Sequence, residues 1–263
     1  MHAVEDHVFT TLISAPRLAL HSEDADWVVV DCGHDLADPT AGMAAYVAGH
    51  ISGARFASID TDLSDKTNPG IGPFRGRHPL PSQATFLETL RSFRIDDSTQ
   101  VIAYDSHGGM FAARLWWMLR WVGHRAVAVL DGGLPAWKAD GQRLEIGMRA
   151  KAKQLTGTIV GRPSLASTLD VATILVNLDR PVWTVVDARS PDRFRGENET
   201  LDPIGGHIPG AINRFFKHNL AADGRFKTAT VLRAEFEALL DAPAKAIMQC
   251  GSGVTACHNL LAM

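Results

Sequence analysis

WVVVDCGHDL at 27–36 and WTVVDARSPD at 183–192 are two versions of one segment, and reading them as copies decides the fold. Each opens on an aromatic residue followed by an apolar run that ends in an aspartate, Asp31 or Asp187. Downstream, AGHISGARF at 48–56 matches GGHIPGAIN at 205–213. The aspartates are offset by 187 − 31 = 156 and the histidines by 207 − 50 = 157. A third match pairs QVIAYDSHGGMFAARLWWML (100–119) with KAIMQCGSGVTACHNLLAM (245–263), which sets Asp105 where Cys250 stands. Three matches in one order at similar separations identify a duplicated chain.

Within the copies, the runs VVVD, VIAYD, VAVLD and TVVD alternate with the helical stretches PSQATFLETLRSF and FAARLWWMLRWVG. Short, continuously apolar strands need both sheet faces covered, and crossover helices cover them. The expected class is α/β: two tandem domains, each a mainly parallel sheet flanked by helices. The first is expected over 1–145, inactive because Asp105 replaces a cysteine. A basic, polar linker with Gly and Pro at its end follows over 146–165, and a catalytic domain with Cys250 over 166–263. In the first copy AVAVLDGGLPAW places Asp131 at 131 − 105 = 26 residues beyond Asp105. The equivalent in the second copy falls near position ~276, past Met263, so the second domain is expected to lack its last strand and helix.

Composition narrows the function classes. The chain has 263 residues, 46% of them hydrophobic and 21% charged, with a net charge of −3 spread along its length. That balance offers no electrostatic footprint for nucleic acid. The N-terminus is acidic where a signal peptide is basic, and no apolar run approaches the ~20 residues that span a bilayer. A soluble, cytoplasmic protein without membrane or nucleic-acid partners is expected. Three cysteines, Cys32, Cys250 and Cys257, are too few and too irregular for a disulfide framework or a four-ligand zinc site. Free thiols and no metal or cofactor are expected.

Cys250 ends an apolar run and is followed by GSGVT and then a helical pattern. Such a turn directs successive backbone N–H groups toward one point, and Gly251 and Gly253 permit positive φ there. The helix that begins near Thr255 adds its positive end. A thiolate, the nucleophilic form of cysteine, is favoured at that focus. Cys250 is therefore the candidate nucleophile.

The duplicated VVD…GHIPGA pattern, the DGGLPAW turn and the loop CGSGVTA together resemble the two-domain rhodanese-like sulfurtransferases over essentially the whole chain. The loop is most similar to that of the 3-mercaptopyruvate sulfurtransferases. Thiosulfate-preferring relatives carry basic or bulkier residues where Gly251 and Ser252 stand. The resemblance implies that Cys250 takes a sulfur atom from a small donor as a persulfide and passes it to a thiol, to cyanide or to a protein acceptor such as a thioredoxin-like protein. The runner-up donor is thiosulfate.

It also implies site residues. Ser252 is the serine of the mercaptopyruvate loop, and His78, before PLP, matches the family's histidine before MLP. Asp60 or Asp62 is the aspartate that acts with them. Arg193 and Arg195, in DRFRGENE, match the arginine segment that binds the donor's acidic group, which a planar guanidinium suits. Gly251, Gly253, Val254 and Thr255 form the substrate-binding loop. Mercaptopyruvate enzymes carry a further arginine in an EPR segment, and this chain has ETLDPIGG instead. His50 and His207 occur in both copies and read as structural, Cys32 as core, and Cys257 as packing.

Two rival readings are weaker. A phosphatase of this fold needs an arginine six places after its cysteine, and Ala256 stands there. A non-catalytic binding module is the alternative of another class.

Overall fold

The computed structural model of the chain describes residues 8–66, 76–148 and 156–263. It forms two compact units, one within Met1–Asp65 and Leu80–Ala166, the other within Lys66–Pro79 and Ser167–Met263. The first contains β1 (Leu12–Ile13), β2 (Trp27–Asp31), β3 (His50–Ile51), β4 (Arg55–Phe56), β5 (Gln100–Tyr104), β6 (Val127–Leu130) and β7 (Leu144–Glu145). A parallel sheet runs in the order β1-β6-β5-β2-β4, and β3 pairs antiparallel with β7. Every residue of β5 is buried, as a central strand covered on both faces must be. Its cover includes the helix Ala112–Trp121, buried from Ala112 through Leu119. The helix Gln83–Ser92 is started by Ser82, whose Oγ accepts from the Thr85 N–H at 3.0 Å.

The second unit repeats the centre of this plan. Its strands β8 (Thr184–Asp187), β9 (Ile212–Asn213) and β10 (Ala246–Gln249) form a parallel sheet in the order β10-β8-β9. That order matches β5-β2-β4. Asp31 lies opposite Tyr104 in one unit and Asp187 opposite Gln249 in the other, so Asp105 and Cys250 leave their strands at the same point. The flanking bonds are duplicated too: the Cys32 N–H donates to the Tyr104 carbonyl and the Ala188 N–H to the Gln249 carbonyl, each at 2.8 Å. Among the described residues β1 and β6 have no counterpart in the second unit, and β10 is an edge strand whose four residues are half-buried. The core there is built on Val186, Phe236 and Leu240.

The two GHI histidines are used alike. His50 stacks on Tyr46 with ring centroids 3.8 Å apart, and its Nδ1 lies 2.8 Å from the Tyr46 carbonyl. His207 stacks on Phe194, also at 3.8 Å, with Nδ1 2.7 Å from the Phe194 carbonyl. Each histidine is held against the helix that precedes it in its own unit, Ala41–Ala48 or Pro191–Phe194. Cys32 is fully buried beneath the first sheet, and burial pushes its thiol well above the ordinary range.

The division of the chain differs from a single cut between the copies, because His78 and its neighbours belong with the second unit. The stretch expected as a linker belongs with the first unit where it is described; residues 149–155 of it lie outside the described residues. The Gly157 N–H donates to the Arg91 carbonyl at 2.8 Å, and Thr158 binds the Asp96 carboxylate through both its N–H and its hydroxyl. Ile159 is 1% exposed. A Cβ at Gly157 would lie 2.2 Å from the Ile95 carbonyl oxygen, so this close approach requires glycine. Among the described residues no helix is long and apolar enough to cross a membrane.

In the DGG turn Gly133 adopts φ +57°, and a Cβ there would meet the Asp105 carbonyl oxygen at 2.1 Å. Gly133→Ala is therefore expected to destabilise the first unit by more than about 1 kcal/mol, read as a lower midpoint in thermal unfolding. An unchanged midpoint would show that the turn relaxes freely.

Candidate active site

The loop after Cys250 turns one backbone N–H, that of Gly253, onto the cysteine sulfur. Cys250 follows β10 directly and is 9% exposed. Gly253 adopts φ +74° and turns its N–H onto the Cys250 sulfur at 3.1 Å. The helix Thr255–Ala262 starts just beyond, with Val254 buried at its N-cap and Thr255 as its first residue. Its N-terminal end faces back along the loop and favours negative charge there. Ser252 is half-buried between the two glycines.

The copy in the first unit displays what this geometry collects. The Asp105 carboxylate accepts four backbone N–H groups: Oδ1 from His107 at 2.7 Å and Gly109 at 3.0 Å, Oδ2 from Phe111 at 2.7 Å and Ala112 at 2.9 Å. The first unit has no thiol here, and its loop is filled by its own acid.

Gly251 was expected to supply positive φ, and it is not among the glycines with that conformation. Its role is spatial. A Cβ at 251 would lie 2.7 Å from Arg77 Nη2 and 3.0 Å from Asp202 Oδ2. Sequence reasoning singled out neither Arg77 nor Asp202, since residues 125 positions apart leave no local pattern.

Arg193 belongs to this group, whereas Arg195 does not. Arg193 binds the Glu199 carboxylate through Nε at 3.0 Å and Nη2 at 2.9 Å, and reaches Asp202 Oδ2 with Nη2 at 3.1 Å. Glu199 also lies 3.5 Å from Arg189, which forks onto the buried Asp187 carboxylate. Arg195, assigned to the donor from its place in RFRG, pairs instead with Glu197 on the surface, where both side chains are more than half exposed. A pair so solvated contributes little.

His78 is buried within the second unit. Asp60 and Asp62 belong to the first, where the Asp62 carboxylate accepts the Ser58 N–H at 2.7 Å and closes its own turn. Burial raises the Asp62 carboxyl above its ordinary value despite that bond.

The loop's helix is anchored by buried polar residues. Asn219, His258 and Asn259 are each 0% exposed. Asn219 donates to Asn259 Oδ1 at 2.7 Å, Asn259 donates to the Arg214 carbonyl at 2.9 Å, and His258 stacks on Phe226 at 4.5 Å. Cys257 donates its S–H to the Gly253 carbonyl at 3.2 Å and so pins the loop.

A parallel α/β sheet with a cysteine at the mouth of a loop and helix defines a thiol-based group-transfer class. Residues 14–140 match the rhodanese-like domain. The chain is 42% identical over 255 residues to a probable 3-mercaptopyruvate sulfurtransferase of Pseudomonas aeruginosa, covering 96% of this chain and 88% of the relative. It is 38% identical to SseB of Mycobacterium tuberculosis, a putative thiosulfate sulfurtransferase, over 93% of this chain and 84% of the relative. Among solved structures it is similar to SseA, a 3-mercaptopyruvate sulfotransferase from Escherichia coli, with a TM-score of 0.81, 33% identity and coverage of 97% and 93%. The chain belongs to the rhodanese-like sulfurtransferases, enzymes that take sulfur from a small-molecule donor and pass it to an acceptor.

The charge chain beside the loop has a pH signature. Burial opposes the charge on Glu199, but the N–H groups of Leu201 and Asp202 and the Arg193 guanidinium outweigh it and lower the carboxyl from 4.5 to about 2. A carboxyl lowered on folding stabilises fully above its ordinary value and loses that contribution as pH falls toward the folded value. The stability difference between wild type and Glu199→Gln, followed by thermal unfolding, is expected to be constant above pH 4.5 and to shrink as pH falls toward 2. A difference independent of pH across that window would contradict the assignment.

Proposed function

We propose that this chain transfers sulfur from 3-mercaptopyruvate to a thiol or cyanide acceptor through a persulfide on Cys250. The observation that carries the reading is the loop: the Cys250 sulfur held by the Gly253 N–H at a helix N-terminus, with the Arg77–Asp202 pair directly over Gly251. A basic side chain at 251, as in thiosulfate-preferring relatives, would run into that pair. Gly251 and Ser252 leave the loop uncharged, which suits a donor whose acidic group is bound to one side, by Arg193.

In the first half-reaction the Cys250 thiolate attacks the donor sulfur. The new S–S bond forms as the C–S bond breaks, and its electron pair leaves on the enolate carbon of pyruvate. The proton that was on the donor thiol ends on that carbon, so thiolate and mercaptopyruvate become a persulfide anion and pyruvate. Ser252 is assigned to hydrogen-bond the enolate oxygen as charge develops, and His78 to hold the proton in transit. The loop N–H groups stabilise the outer persulfide sulfur. In the second half-reaction an acceptor thiolate, from a small thiol or a thioredoxin-like protein, or cyanide, attacks that outer sulfur and Cys250 leaves as thiolate.

Intact-mass measurement after incubation with 3-mercaptopyruvate is expected to show the gain of one sulfur atom in wild type and none in Cys250→Ser. No gain with either mercaptopyruvate or thiosulfate would overturn the proposal. Ser252→Ala is expected to lower kcat with mercaptopyruvate roughly tenfold or more. Ser252→Lys, which adds a cation to the loop, is expected to raise the ratio of thiosulfate to mercaptopyruvate turnover; an unchanged ratio would remove the reason for preferring mercaptopyruvate.

A further inference from the structure

Six charged side chains of the second unit alternate in sign along one path: Arg77, Asp202, Arg193, Glu199, Arg189 and Asp187. Three cations face three anions, so each of these three guanidinium groups already has a carboxylate. A donor carboxylate is attracted only if one of the protein's own acids gives way. The inner acids are not available for that. The side chains of Asp187 and Glu199 are 0% and 5% exposed, and Glu199 is also tied to the backbone N–H groups of Leu201 and Asp202.

Asp202 lies at the outer end and is 19% exposed, between Arg77 at 24% and Arg193 at 18%. Its Oδ1 takes Arg77 Nη1 at 2.6 Å and its Oδ2 takes Arg193 Nη2 at 3.1 Å. One carboxylate bridged by two guanidinium groups is the arrangement that would hold the carboxylate of a 2-keto acid. This bridge lies against residue 251, whose Cβ position is 2.7 Å from Arg77 Nη2, and so it adjoins the backbone between Cys250 and Ser252. The segment ETLDPIGG lacks the second arginine of the mercaptopyruvate enzymes, and Arg77 stands beside the loop from a different part of the sequence.

We propose that Arg77 and Arg193 are the two arms of the donor-carboxylate clamp, and that Asp202 is the clamp's resident anion, displaced by the donor. The proposal rests on the reading of the chain as a transferase for a carboxylate-bearing sulfur donor. A single acid bridging both arms makes the clamp selective, since an incoming anion must replace two charge-assisted contacts at once.

Steady-state kinetics with 3-mercaptopyruvate, together with inhibition by pyruvate, test it in wild type, Arg77→Ala, Arg77→Lys and Asp202→Asn. Loss of one arm in Arg77→Ala is expected to raise KM about tenfold with kcat within about twofold, and Arg77→Lys to recover part of the loss. Asp202→Asn removes the competitor and is expected to lower both KM and the pyruvate inhibition constant about threefold or more. The opposite signs are decisive. A merely structural ion pair would lower the melting temperature in both variants and move KM the same way in both. That result, or an unchanged KM in either variant, overturns the clamp while persulfide formation by wild type leaves the proposed function standing. Failure of wild type to form the persulfide overturns both.

Discussion

The register of two parallel strands positions everything else in each unit. In the first, β2 and β5 are paired so that Asp31 lies opposite Tyr104; in the second, β8 and β10 are paired so that Asp187 lies opposite Gln249. The next N–H on the inner strand, from Cys32 or Ala188, closes the ladder onto the carbonyl just before the loop. A slip of one residue would send Asp105 or Cys250 to the opposite face of its sheet, away from its helix. Alternation of side chains along a strand is strict, so the place of Cys250 is decided by backbone hydrogen bonds before any side chain is considered. The second sheet keeps this pairing although, among the described residues, it has three strands and the first has five.

The strands and helices were legible in the sequence because they are local: apolar runs of strand length, a serine before a helical pattern, and the same order twice. The cysteine loop was legible for the same reason. What escaped was what arises between distant residues. Gly251 looked like a conformational glycine, yet the need is for space under a side-chain pair drawn from positions 77 and 202. Arg193 and Arg195 stand two apart on one short segment and were both assigned to the donor, but only Arg193 reaches the acids beside the loop. Asn219, His258 and Asn259 belong to no sequence motif and are buried because they satisfy one another. The stretch expected as a linker carries no pattern that announces its bonds, and its described part is bonded to the first unit.

The alternating charges of the second unit also bear on how the loop is held. Arg189 and Asp187 tie the end of β8 to the carbonyl of Gly206, and Arg214 joins β9's neighbourhood to Glu235 on the helix Ala229–Leu239. Pairs this sheltered from water are weak evidence of net stability, since desolvation offsets much of their attraction. Their effect is geometric: removing one partner strands the other, so the group persists as a set and orients the guanidinium groups that face the loop.

Asp105 carries a further meaning. An aspartate side chain presents two acceptor atoms, and the first unit's loop meets them with four N–H groups. A cysteine presents one acceptor atom, and a cysteine persulfide presents two, the outer one anionic. In the number of its acceptors and in its charge, Asp105 therefore permanently matches the persulfide proposed for Cys250.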